Sequence, residues 1–141
     1  MSFDLGAITR TGGHFGPQRI LIYGVQGLGK TTFGCSFEAP ILLRTEDGAG
    51  ALDVATFPTI ATSYQDICDA IQALHGEHPF RTLVLDSLDW LEPLVLAKTC
   101  GDLGIEHIED AAYGKGYVTA DDNWRFIMGG LDSLRHNRGM T

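Results

Sequence analysis

The sequence lacks long hydrophobic runs, a dense set of cysteines and an excess of basic residues. No apolar stretch approaches the ~20 residues needed to cross a bilayer, and the N-terminus has no basic segment followed by an apolar core. We therefore expect a protein that is neither membrane-spanning nor exported, and a cytoplasmic location. The three cysteines, Cys35, Cys68 and Cys100, are odd in number and far apart. Their spacing argues against a disulfide framework and against a zinc site.

Basic residues are few: 10 Lys and Arg stand against 18 Asp and Glu, for a formal net charge of −8. Binding along a nucleic acid backbone needs clustered Lys and Arg, so composition gives no support for a general nucleic-acid-binding surface. The 141 residues, 44% of them hydrophobic, fit one domain that buries about two thirds of its unfolded surface. The chain is therefore predicted to be a single globular unit.

A glycine-rich motif is present at residues 24–31, where GVQGLGKT fits the phosphate-binding pattern G-x-x-x-x-G-K-[ST] at each fixed position. The apolar residues 19–23 before it predict a short strand. Residues 31–37 after it predict a helix with Phe33 and Phe37 on its buried face. In that setting, backbone N–H groups and the positive end of the helix dipole converge on one point and bind a polyphosphate. The alternative is a glycine-rich surface turn.

The pattern assigns separate roles to the residues of this motif. Lys30 is predicted to reach the β- and γ-phosphates, and the Thr31 hydroxyl is predicted to ligate Mg²⁺. The predicted nucleotide-binding residues are Gly24, Gly27, Leu28, Gly29, Lys30, Thr31 and Thr32.

Strand and helix patterns alternate along the remainder of the chain. Strands are predicted at 41–44 and 81–86. Helices are predicted at 63–74, opened by a capping box of Ser63 and Asp66, at 88–100, and from Asp121 or Asp122 to a C-cap at Gly139. Residues 101–119 are predicted to be loop with a short helix near 105–109. This alternation predicts an α/β fold with a parallel sheet whose ligands bind beyond the carboxyl ends of the strands. Residues 1–18 are predicted to be an irregular leader, and residues 19–141 the nucleotide-binding domain.

Two predicted strands are followed by acidic residues. Asp86 ends an apolar strand and is predicted to hold a Mg²⁺-bound water, unless it only caps the helix that begins near Leu88. Glu46 follows the second strand, where it would orient or deprotonate an attacking water. Asp47 is a competing candidate, Asp53 is more remote, and a solvated acidic loop fits the spacing equally well.

Residues 113–117, YGKGY, place a lysine between two glycines and two tyrosines. One interpretation is a mobile loop that carries Lys115 to a phosphate, for example that of a neighbouring subunit. The other is a tight turn with an exposed lysine.

Taken together, residues 21–24 with the glycine motif, 45–48, 85–90 (LDSLDW) and 113–117 resemble phage-type nucleotide-binding proteins of the AAA/RecA-like P-loop NTPase class. The resemblance covers residues 19–141. It implies a three-layer αβα sandwich with a mostly parallel sheet, a shortened RecA-like core, and ATP and Mg²⁺ as cofactors. It also implies that Glu46 activates the hydrolytic water and that Asp86-Ser87 is the metal-side acid with its following serine.

Proteins of this class continue into a further strand between the strand before the glycine motif and the strand ending at Asp86. By the resemblance, the chain is expected to be truncated before this central strand. The flanking strands would then close up, or another chain would fill the gap, or the fragment would be marginally stable.

The sequence therefore predicts an ATP-binding, Mg²⁺-dependent NTPase domain of a phage recombination or annealing protein, which hydrolyses ATP in the complete protein. Single-stranded DNA and further copies of the chain are partners implied by the resemblance. One alternative is a non-hydrolysing module that organises an oligomer or an annealing filament. A small kinase is disfavoured because residues 101–123 contain no arginine for a lid, and a GTPase because no N-K-x-D string occurs.

Overall fold

The computed structural model describes residues 4–10, 12–13, 16–48 and 50–141. In this part of the chain, the sheet has three parallel strands, β1 (Pro40–Arg44), β2 (Ala55–Thr56) and β3 (Thr82–Asp86), in the order β2-β1-β3. The register between β1 and β3 runs from Pro40 opposite Thr82 to Arg44 opposite Asp86. The predicted α/β fold with a parallel sheet is confirmed. The predicted leader at 1–18 lies partly outside the described residues.

The helices are α1 (Lys30–Gly34), α2 (Tyr64–Ala73), α3 (Leu88–Leu103) and α4 (Lys115–Arg138), with 3₁₀ turns at Leu5–Ala7, Ile108–Asp110 and Ala112–Gly114. Among these residues, no helix combines the length and apolar character needed to cross a bilayer. Three predicted boundaries are wrong. α3 ends at Leu103 and not at 100. α1 ends at Gly34 and not at 37, because the chain turns into β1 through Ala39, which has a φ of 42°. α4 begins at Lys115 and not at 121, because its first turn packs against Ile108, a contact that local sequence does not reveal.

Helices cover both faces of the sheet. Successive strand residues point to opposite faces. Val84 faces α1, since a Cβ built on Gly34 would lie 2.9 Å from Val84 Cγ1. Leu83 and Leu85 face the other way and pack with residues of α2, α3 and α4. The predicted three-layer arrangement is therefore confirmed. The largest fully buried side chains are Leu42, Ile67, Leu91, Val95, Thr99, Ile127 and Leu134.

The start of α2 is a capping box, as predicted. The Ser63 hydroxyl accepts a hydrogen bond from the Asp66 N–H (3.1 Å), and Asp66 Oδ2 accepts from the N–H groups of Ser63 (2.9 Å) and Thr62 (2.8 Å). Hydrogen bonds of this kind stabilise the charged carboxylate and so lower the pKa of Asp66. The largest effect comes from the Thr62 amide and the next from the Ser63 hydroxyl.

The predicted strand at residues 19–23 is not formed. Leu21 and Tyr23 are 72% and 91% exposed, and the segment joins no sheet in the described part of the chain. Thr141 lies between this segment and β3: its carbonyl accepts from the Leu83 N–H (2.8 Å), and its hydroxyl accepts from the Gln18 N–H (3.3 Å). A strand needs a neighbour for its backbone groups, and among the described residues none pairs with 19–23, so the apolar pattern does not form a strand.

Candidate functional site

The glycine motif forms an exposed loop that leads directly into α1. Gly27 and Gly29 both adopt a φ of 84°, in the left-handed region where a side chain would be strained. Lys30, the first residue of α1, folds back over the loop. Its Nζ donates to the carbonyl oxygens of Gly24 (2.8 Å) and Val25 (3.0 Å). The loop therefore curls around the lysine ammonium.

The structure brings the glycine motif together with the acid that ends β3. The Thr31 hydroxyl donates to Asp86 Oδ2 at 2.6 Å, and both groups are partly buried. This contact follows from the packing of α1 on β3. The pKa of the Cys35 thiol is raised, first by burial and then by the negative charge of Asp86. The carboxylate of Asp86 is thus engaged with Thr31, whereas the helix-capping alternative would direct it toward α3.

Glu46 reaches the same edge of the sheet from β1. Because Arg44 lies opposite Asp86, the residues that leave the two strands are neighbours. The Ser87 hydroxyl donates to Glu46 Oε1 at 2.9 Å. Asp47 is different, since its side chain is 87% exposed and contacts only the edge of Arg44. Of the two neighbouring acids, it is Glu46 that the structure joins to the Asp86 strand.

Sequence reasoning missed the part played by Thr45. Its N–H donates to the Asp86 carbonyl (2.8 Å), and its hydroxyl contacts both backbone groups of Ser87. Thr45 is only 7% exposed. A buried polar side chain at a strand end is visible in the sequence only as a threonine between an apolar run and an acid, which is a weak signal. Asp53 is exposed.

Lys115 lies away from the glycine motif. α4 runs antiparallel to α3, with Asn123 Nδ2 donating to Thr99 Oγ1 (2.9 Å), so the start of α4 is beside the end of α3. The 16 residues of α3 span about 24 Å. Lys115 is therefore far from Lys30 in the same chain. It is the first residue of α4, so the predicted mobile loop is wrong, whereas the exposed lysine of the alternative interpretation is observed, directly after the 3₁₀ turn at Ala112–Gly114. A role at a neighbouring subunit stays a prediction.

The cluster has the two parts that a P-loop nucleotide site requires: a glycine loop ending in Lys-Thr and a strand-end carboxylate bonded to that threonine. A family model described as an AAA domain matches residues 16–138. The chain belongs to the AAA domain family. No curated protein and no solved structure matches it. An AAA domain is a nucleotide-binding domain of the P-loop NTPase type, so the coarse prediction of nucleotide binding is confirmed.

The AAA domain presents its glycine loop on an open surface. Residues 24–29 are all exposed. Two grooves lie elsewhere, one beside residues 57–61 and the other between α2 and α4, and neither is lined by the loop or by Asp86. The assignment of residues 24–31 and Asp86 to a nucleotide site therefore depends on their chemistry and not on the shape of a cavity, and it stays a prediction.

Proposed function

We propose that this domain binds ATP together with Mg²⁺ and hydrolyses it, as part of a RecA-like protein of phage recombination or annealing. One observation carries the catalytic part of the proposal. The Thr31–Asp86 hydrogen bond joins the phosphate loop to a carboxylate, and Glu46 is tied to the next residue, Ser87. Three groups of the types that ATP hydrolysis uses are thereby connected by two short contacts.

In this proposal the loop amides and Lys30 bind the triphosphate. The Lys30 ammonium donates to two neutral carbonyl oxygens, at 2.8 and 3.0 Å. A phosphate oxygen carries negative charge and is a stronger acceptor than a carbonyl, so the ammonium prefers it. Leu28 lies in the exposed loop and Thr32 in the first turn of α1, and their backbone N–H groups would add to the phosphate cradle.

The residues present fit a magnesium ion. Mg²⁺ prefers oxygen ligands and keeps several waters and phosphate oxygens in its shell. Thr31 Oγ1 and Asp86 Oδ2 are both oxygen donors, 2.6 Å apart, at the edge of the phosphate loop. These two side chains would hold the ion, which would supply charge neutralisation for the phosphates.

Glu46 is assigned the role of orienting and deprotonating the attacking water. Its carboxylate is half-buried, and one oxygen is held by Ser87, which leaves the other oxygen available to a water molecule. In the reaction, the water oxygen bonds to the γ-phosphorus and the bond from that phosphorus to the bridging oxygen breaks. ADP and phosphate are released, and Glu46 accepts the proton of the water.

The proposal is tested with nucleotide binding and phosphate release measured side by side. Lys30→Ala removes a charged donor, so ATP affinity should fall by about 10- to 100-fold. Glu46→Gln keeps the shape but cannot accept a proton, so kcat should fall by about 10²- to 10⁴-fold while affinity is retained. Asp47→Asn is the matched control, because this exposed neighbour has the same charge and no contact with the cluster.

The outcomes separate the candidates. Full turnover by Glu46→Gln refutes the assignment of the base. Loss of turnover in Asp47→Asn instead would transfer that role to Asp47. Tight ATP binding without phosphate release in the parent protein would favour the non-hydrolysing module.

The recombination role is supported by the resemblance of residues 85–90 and 113–117 to phage proteins and not by charge. With a net charge of −8, the chain has no general basic surface to offer DNA. Phosphate release measured with and without single-stranded DNA, over a range of salt concentrations, tests this part separately. Stimulation by DNA that weakens with salt supports it, and an unchanged rate at every salt concentration contradicts it.

A further inference from the structure

We infer that Ser87 is a positioning residue that orients the Glu46 carboxylate, and that Thr45 holds Ser87 in place to do so. The inference rests on the proposed ATP hydrolysis at this site. Its starting point is the hydrogen bond from Ser87 Oγ to Glu46 Oε1, 2.9 Å long and partly buried.

The Ser87 hydroxyl does not make the helix-capping hydrogen bond that its position at the start of α3 favours. Ser87 is the N-cap residue of α3, a position where a serine normally accepts a hydrogen bond from a backbone N–H of the first helical turn. No such side-chain bond is made at this helix, and the hydroxyl contacts Glu46 instead. A strong local preference is thus overridden by a contact between two strand ends, which is expected where a side chain serves a site.

Thr45 fixes the backbone of Ser87. With φ of −128° and ψ of 167°, Ser87 is extended, so its own N–H and C=O point to the same side. One hydroxyl meets both: Thr45 Oγ1 accepts from the Ser87 N–H (2.8 Å) and donates to the Ser87 carbonyl (2.7 Å). The Thr45 N–H bonds the Asp86 carbonyl as well, at 2.8 Å. Three hydrogen bonds therefore tie the end of β3 to the end of β1.

The consequence concerns the orientation of Glu46. A glutamate side chain has three torsions to restrain, and an exposed one samples several rotamers. The Ser87 bond anchors Oε1, so Oε2 is held in one direction for a water. Asp47, the next residue, shows the contrast: its side chain is 87% exposed and its nearest cation, Arg44 Nη1, lies 4.0 Å away.

The test compares Ser87→Ala with Ser87→Thr in the whole chain. Removing the hydroxyl should lower kcat by about 10- to 100-fold with the KM for ATP and the nucleotide affinity unchanged, since the lost bond orients a base and does not touch phosphate. Ser87→Thr keeps the hydroxyl and should restore most of kcat. In the Glu46→Gln background, Ser87→Ala should have little further effect, because the group that it orients can no longer act.

Other outcomes overturn the inference. Unchanged kcat in Ser87→Ala shows that the bond does not matter, even when Glu46→Gln is inactive. Parallel losses of affinity, kcat and urea resistance in Ser87→Ala assign the hydroxyl a structural role only. If the parent protein releases no phosphate, or if Glu46→Gln is fully active, the proposed base falls and this inference falls with it. The same comparison is made at Thr45. Thr45→Ser keeps the hydroxyl and should retain kcat, whereas Thr45→Val removes it and should lower kcat. Equal kcat in both variants would show that the Thr45 hydroxyl does not position Ser87.

Discussion

Two adjacent glycines in the middle of α4, Gly129 and Gly130, should respond differently to the same substitution: alanine should stabilise the fold at residue 129 and should not do so at residue 130. A Cβ built on Gly130 would lie 3.0 Å from Cγ2 of Ile71 in α2. Ile71 is buried and β-branched, so it has little freedom to move away. A Cβ built on Gly129 has no atom within 4 Å. Gly130 therefore allows α2 and α4 to approach closely, whereas Gly129 points to open space.

The magnitudes follow from two opposing terms. Replacing a glycine by alanine inside a helix favours folding by about 1 kcal/mol. At residue 129 nothing opposes this gain, so Gly129→Ala should raise the free energy of unfolding by about 1 kcal/mol. At residue 130 the extra methyl overpacks the contact with Ile71, which typically costs about 1–3 kcal/mol. Gly130→Ala should therefore be neutral to about 2 kcal/mol destabilising.

Urea unfolding followed by far-ultraviolet circular dichroism measures both variants against the parent chain. A difference of 1 kcal/mol corresponds to about 3 °C in Tm for a domain of this size, so a thermal scan gives an independent value. If both variants are stabilised equally, α2 and α4 do not pack as described. If Gly129→Ala is destabilised, the helical path of α4 at this point is wrong.

The remaining predictions concern pH. Asp66 has a lowered pKa in the folded state. Its contribution to stability is therefore present above the pKa of the unfolded chain and is lost as pH falls through the pKa of the folded state. The difference in urea midpoint between the parent and Asp66→Ala should shrink toward zero on acidification from pH 6 to 2. A constant difference would show that the capping carboxylate does not titrate with folding. Burial, with smaller effects of Cys68, raises the pKa of Tyr64 from 10.0 to about 12, so the folded state keeps a proton that the unfolded chain releases. The free energy of unfolding should therefore fall as pH rises from 10 to 12, and that of Tyr64→Phe should fall less steeply. Identical slopes of stability against pH in the two proteins would refute this.

Much of the site was predictable because it rests on local chemistry. The loop at 24–31 needs glycines for its backbone and, in the proposed function, a lysine and a threonine for phosphate and Mg²⁺, and these residues are close together in the chain. The capping box of Ser63 and Asp66 is likewise local, and so are the apolar strands ending near Arg44 and Asp86. Such features depend on residues within one or two turns of each other, and the sequence reports them directly.

Two of the wrong predictions have a common cause: each depends on contacts between residues far apart in the chain. Residues 19–23 have the composition of a strand but no partner beside them, and composition does not reveal partners. The start of α4 was misplaced because Gly116 contacts Ile108, where a Cβ would overlap a carbonyl oxygen. Gly130 likewise contacts Ile71 of α2, a residue 59 positions away that the local sequence of α4 does not reveal.

From the sequence alone follow a P-loop, a carboxylate at the end of each of two strands and an alternating α/β order, because each is written in a short stretch of chain. Only the tertiary structure decided that Glu46 and not Asp47 bonds Ser87, the residue after Asp86, and that Thr45 ties the ends of the two strands together. The reason is the pairing of β1 with β3: it sets residues 45 and 87 side by side, although they are 42 positions apart in the chain. Adjacency of that kind depends on which strands pair and in which register, and no local pattern encodes it.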